Sequence, residues 1–144
     1  SGSILRQTAQ GSSGQLLLSQ GSAAPKWGDP VGGMMWYFDG TQAVATGKGP
    51  QITMPFGLTL TSISLNAKGA PTGADLIYDI NVNGTTIFST RPQIDAGATT
   101  GGGSAVFSTV NVPANSTLTI DIDQVGSTFA GSGVTVMLKG IRNY

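Results

Sequence analysis

Apolar and polar residues alternate most clearly over residues 70–90, APTGADLIYDINVNGTTIFST. Leu76, Tyr78, Ile80 and Val82 alternate with Asp75, Asp79 and Asn81. A period of two predicts a strand with one face on a core. Asn83-Gly84 interrupts the pattern, and residues 85–89 resume it with β-branched and aromatic side chains. An Asn-Gly pair between two such runs predicts a tight hairpin, because a type I′ turn needs positive φ at both central positions.

Further strand signals follow from Met34 onward. The run MMWYF at residues 34–38 ends on the turn pair Asp39-Gly40, and a short segment at residues 51–54 is closed by Pro55. In residues 58–66, Leu58 and Leu60 share one parity while Ile63 and Leu65 share the other. A slip of one residue would turn core side chains outward, so a bulge or break is expected near Thr61-Ser62. Residues 105–112 and 117–125 read as two strands joined by Pro113-Ala114-Asn115, the second with Leu118, Ile120 and Ile122 inward. The last strand spans residues 133–142, with Val134, Val136 and Leu138 on one face. Residues 98–104, ATTGGGS, read as a flexible loop.

These signals predict seven to nine short strands with Gly, Pro and Asn punctuation, hence an all-β fold. The expected architecture is an antiparallel β-sandwich, jelly-roll-like, formed by residues 34–144. Residues 1–33 are rich in Gly, Ser, Gln and Ala, and hold too little alternating apolar sequence for a core of their own. They are expected to form an extended N-terminal arm, stable only when packed on something else.

Two phrases carry a resemblance. The 70–90 segment resembles a β-rich module of tailed-bacteriophage structural proteins, in which wording like APTGA…NGTTIF recurs. Residues 14–27 are similar to a phrase of phage tail fibres and other virion appendages, matched here by Gly14, Gln15, Leu17, Gly21, Ala24, Pro25 and Trp27. The two cover about a quarter of the chain. The resemblance implies a virion protein on the outer surface of a capsid or tail appendage. It also implies a homotrimer, with other virion proteins such as the major capsid protein as partners. No heptad run or internal repeat is evident, which favours a compact decorating or head-fibre subunit over a whole fibre. Leu16, Leu17, Leu18 and Trp27 are the expected attachment residues. A receptor-binding module of a tail fibre or tail tip, reading host surface glycan, stays open as the alternative.

Composition narrows the chemistry. The chain has 144 residues, with seven basic and seven acidic side chains and a formal net charge of zero. Scattered charges of this kind argue against a nucleic-acid groove or a polybasic membrane contact. All seven acids are Asp, and 22 residues are Gly, which disfavours long helices. No apolar run is long enough to span a membrane as a helix. Histidine and cysteine are both absent. Their absence removes Cys/His zinc sets, the Ser-His-Asp triad, the Cys-His pair and every imidazole base. No enzyme activity, catalytic residue, metal site or cofactor is therefore expected.

Two constellations stand against that expectation. Asp79, Asp121 and Asp123 could meet across a sheet and bind Ca²⁺ or serve glycoside hydrolysis, although an outward Asp on a strand is more often there to face solvent. Trp36 and Tyr37, with Tyr78 and Trp27, could stack on a sugar ring, although Trp36 and Tyr78 better suit a core and Trp27 a subunit contact. The glycines at 97–103 lack the Lys-Ser/Thr and the helix N-terminus of a phosphate-binding loop.

Overall fold

The computed structural model describes residues 10–143. Among them there are strands and turns but no helix. The chain runs through β1 (Leu16–Gln20), β2 (Ala23–Gly28), β3 (Val31–Thr41), β4 (Ile52–Thr53), β5 (Gly57–Gly69), β6 (Leu76–Val82), β7 (Thr85–Thr86) and β8 (Phe88–Thr90). It continues through β9 (Gln93–Ile94), β10 (Thr100–Gly101), β11 (Val106–Phe107), β12 (Asn111–Val112), β13 (Thr117–Gln124) and β14 (Ser132–Asn143).

Two antiparallel sheets enclose the core in a sandwich-like arrangement. The first has the order β10-β5-β14-β3, with β12 also paired to β5; the second has the order β4-β13-β6-β7, with β9 also paired to β6. Alternation decides which side chains meet between them. Trp36, Phe38, Leu58, Leu65, Val134, Val136 and Leu138 of the first sheet are buried with Leu76, Tyr78, Ile80, Leu118, Ile120 and Ile122 of the second. The rings of Phe38 and Tyr78 stack between the sheets with centroids 6.0 Å apart. The Tyr78 hydroxyl donates to Gln42 Oε1 at 3.0 Å, while Gln42 Nε2 donates to the carbonyls of Phe38 and Gly40. This buried polar chain closes one end of the core with its groups satisfied. Burial also raises the Tyr78 pKa, so its phenol stays a donor.

The expected parity slip in β5 is a β-bulge. Lys139 pairs with Ser62 and the next residue, Gly140, pairs with Leu60, so Thr61 is the extra residue. Leu58 and Leu60 before it, and Ile63 and Leu65 after it, are all buried. The Asn-Gly turn also forms, with φ of 51° at Asn83 and 83° at Gly84, and Val82 opposite Thr85.

Elsewhere the structure differs from the pattern. Residues 105–112 are not one strand: β11 pairs with β8 and β12 with β5, on different sheets. The backbone crosses between them at Ser108 and Thr109, whose N–H groups both point to the Ile87 carbonyl. The glycine-rich loop is also pinned to its neighbours. Thr100 and Gly101 pair with Asn66 and Leu65, and Gly102 N–H donates to the Gln93 carbonyl at 2.9 Å. A Cβ on Gly101 would stand 2.0 Å from that carbonyl oxygen, so glycine here permits a close backbone approach.

The body begins before Met34. Val31, Gly32 and Gly33 already pair with Ile141, Gly140 and Lys139 in β14. Residues 16–28 form a two-stranded hairpin of their own. Residues 1–9, the start of the expected arm, lie outside the described residues.

Candidate functional site

On the outer face of the second sheet, β6 and β13 bring three carboxylates together as alternation requires. Asp79 pairs directly with Asp121 across the ladder, and Asp123 lies two residues further along the same face. Arg91, in the link between β8 and β9, reaches over this group. Its Nε lies 2.9 Å from Asp79 Oδ2 and 2.6 Å from Asp123 Oδ2. Asp79 also accepts from the Thr86 hydroxyl. Asp121 accepts from Gly47 N–H at 2.6 Å and from Asn81 Nδ2 at 2.8 Å.

The guanidinium therefore stands where a cation would have to sit between Asp79 and Asp123. Among the described residues no set of three such side chains is placed to hold a metal ion. The Arg91 pKa is raised, chiefly by its hydrogen bond to Asp79. The Asp123 pKa is raised as well, despite the short contact with Arg91. Desolvation is the largest cause and outweighs the attraction of Arg91, with Asp79 and Asp121 adding repulsion. The cluster can hold β6, β13 and the Arg91 link together.

Trp36 and Tyr37 are neighbours on β3 and so point to opposite faces. Trp36 is in the core at 4% exposure, with its Nε1 buried and without a hydrogen-bond partner among the described residues. The two rings cannot share one sugar. Tyr37 is exposed, donates to Asp39 Oδ1 at 3.0 Å, and has Lys68 Nζ 5.3 Å from its ring centroid. The Tyr37 hydrogen bond, with one from Gly40 N–H, lowers the Asp39 pKa.

The four attachment candidates lie together on the β1–β2 hairpin. Leu17 opposes Trp27, Leu18 opposes Lys26 and Leu16 opposes Gly28. The indole of Trp27 is half-buried and lies over Gly11, where a Cβ would come within 2.4 Å of the ring. Leu16, Leu17 and Leu18 are exposed although they alternate between faces, so both faces of the hairpin are apolar and open. The base of the hairpin is anchored: Gln15 Nε2 donates to Asp29 Oδ1 at 3.1 Å, and Arg142 N–H donates to the Pro30 carbonyl at 2.8 Å. A small cleft of about 180 Å³ lies at this junction, between Ser13, Asp29 and Arg142.

Sequence reasoning missed two features. Arg91 reads as scattered surface charge, since nothing local marks it as the partner of Asp79. Val31 and Met35 are exposed on β3 beside Tyr37; the alternation of MMWYF, with Trp36 and Phe38 inward, would have pointed to Met35.

No family model, curated protein or solved structure matches the chain.

Proposed function

We propose that the protein is a non-enzymatic structural subunit of a tailed-phage virion, a capsid decoration or head-fibre protein. The hairpin carries this reading. A two-stranded hairpin is at best marginally stable alone in water, and this one holds three exposed leucines, so it is built to be covered. In this reading the sandwich has jelly-roll strand order, the subunit is a homotrimer, and the hairpin with the residues before it is the attachment arm. Leu16, Leu17, Leu18 and Trp27 contact the major capsid protein or a neighbouring subunit on the outer surface of the particle. Each fully buried large apolar side chain contributes about 1.5–3 kcal/mol, and three chains on one particle add avidity. The wording of residues 14–27 and 70–90 is consistent with this role.

The test is saturation binding of the purified protein to capsids lacking it. Binding at a fixed stoichiometry, abolished by Leu17→Asp, is expected. Binding to host cells with indifference to capsids would instead favour the receptor-binding alternative. The observation behind that alternative is the exposed Tyr37 ring beside Asp39 and Lys68, and Tyr37→Ala should then abolish cell binding.

A further inference from the structure

Asn83-Gly84 is the one Asn-Gly pair of the chain. The fold sets it at the tip of the β6–β7 hairpin, with both residues exposed. Asparagine is a chemically labile residue, and a following glycine has no Cβ to shield its nitrogen from the asparagine side chain. Open space surrounds Gly84, since a Cβ there would meet nothing within 4 Å. Among the described residues the Gly84 N–H donates to no group, so solvent base can reach its proton. Asn115, the other asparagine with positive φ, is followed instead by the buried Ser116.

Two features of the fold oppose reaction between the Gly84 nitrogen and the Asn83 side chain. With φ of 51° at Asn83 and 83° at Gly84, the turn is of type I′. The first central residue of such a turn has ψ of about +30°. That rotation sets the Gly84 nitrogen nearly anti to the Asn83 Cβ, so a five-membered ring through Cγ cannot close until the turn opens. The side chain is also tethered. Asn83 N–H donates to the Thr117 carbonyl at 2.8 Å, and Thr117 N–H donates to Asn83 Oδ1 at 2.9 Å. Residue 83 thus clamps the hairpin tip to β13 by two bonds, one of which needs the side-chain carbonyl.

We propose that Asn83 is a deamidation site gated by this turn, and that its isoaspartate product holds the hairpin tip open. When the tip opens, the Gly84 nitrogen bonds to Asn83 Cγ and gives up its proton. The Cγ–Nδ2 bond breaks and ammonia leaves. Water then opens the cyclic imide at one of its two carbonyls. Attack at the side-chain carbonyl gives Asp, whose carboxylate still accepts from Thr117 N–H and lets the turn form again. Attack at the main-chain carbonyl gives isoaspartate, in which the backbone runs through Cβ and Cγ. One carbon is thereby added to a loop whose length selects the turn type, and the former acceptor becomes part of a backbone amide. The change runs one way, consumes only water, and stands independently of the virion role.

The experiment incubates the full chain in mildly alkaline buffer and follows residue 83 by peptide mapping, with isoaspartate resolved from Asp by electron-transfer fragmentation. The folded protein should convert at least about tenfold more slowly than the same chain held unfolded in urea, the factor for an opening that costs about 1.4 kcal/mol. Thr117→Pro removes one donor of the clamp and should convert faster than the parent protein. If that variant does not fold, urea below the unfolding transition makes the same test on the parent, whose conversion should rise before the core unfolds. Hydrogen exchange at the Thr85 and Thr117 amides should quicken in the isoaspartate form, whereas Asn83→Asp should exchange as the parent does. Equal rates in the folded and unfolded chain would overturn the gating. Conversion only at other asparagines would overturn the site, and an isoaspartate form with parent-like exchange would overturn the lasting opening.

Discussion

Arg91 Nε stands 2.9 Å from Asp79 Oδ2, and Asp79 is nearly inaccessible, with 4% of its side chain exposed. A buried carboxylate needs such a partner, because losing hydration is costly. Asp79→Ala is expected to lower stability by about 1–3 kcal/mol, a range below that of fully buried pairs because Arg91 is half-exposed. Urea unfolding followed by circular dichroism checks this. A loss no larger than that of an exposed control would show the pair to be incidental.

Asp123 gives a pH test of opposite sign from the usual carboxylate. Its folded-state pKa is raised above 3.8, mainly by desolvation. The native protein therefore takes up a proton there before the unfolded chain does. Keeping the group ionised costs stability at neutral pH, and the cost is relieved as pH falls through the folded-state pKa. Asp123→Asn should thus be neutral or slightly stabilising at about pH 7, with its advantage shrinking towards about pH 4. Urea midpoints of the variant and the parent protein across that range make the comparison. A variant whose advantage grows on acidification would contradict the raised pKa.

At the hairpin tip, Gly84 has φ of 83°, and a Cβ placed there would have nothing within 4 Å, so backbone strain is the only obstacle to a side chain. Gly84→Val should cost about 1–2 kcal/mol, whereas Asn83→Gly should cost less than about 1 kcal/mol. Thermal melts of the two variants make the comparison. Equal effects would mean that the turn does not depend on positive φ at position 84.

Tyr78→Phe keeps the ring stacked on Phe38 but removes the hydroxyl that serves Gln42. A buried carbonyl oxygen would lose its donor, at a cost of about 1–3 kcal/mol. Adding Gln42→Leu to the Tyr78→Phe variant should not recover all of it, since Gln42 also caps the carbonyls of Phe38 and Gly40. Chemical denaturation of the single and double variants measures the coupling.

Removing residues 1–28 should leave a folded sandwich, because the paired length of β3 stays intact. Removing residues 1–33 also deletes Val31, Gly32 and Gly33, which pair with Ile141, Gly140 and Lys139. That longer truncation should lose a further ~1–2 kcal/mol, the scale of the ladder bonds removed. Circular dichroism and urea midpoints of the two truncations decide it. Collapse of the shorter truncation would show that the hairpin supports the core.

Much of the fold was legible because alternation and turn chemistry act locally. The parity change between Leu60 and Ile63 announced the Thr61 bulge, and Asn83-Gly84 announced the I′ turn. The gathering of Asp79, Asp121 and Asp123 on one face followed from the period of two in β6 and β13. Arg91 was not legible in that way, since its partners Asp79 and Asp123 come from two other strands, β6 and β13. The break of residues 105–112 was equally hidden: the segment has strand composition throughout, and only its two different partners divide it.

The sequence by itself determined which side chains face inward, where the chain reverses, and which chemistries it lacks. Those properties depend on the period of the backbone, on φ at single residues and on the presence of a functional group. Only the tertiary structure decided which strands pair, that a cation from a loop neutralises the buried Asp79, and that β3 pairs, among the described residues, with β14 alone. Such outcomes depend on distances between segments far apart in the chain, which no local pattern encodes.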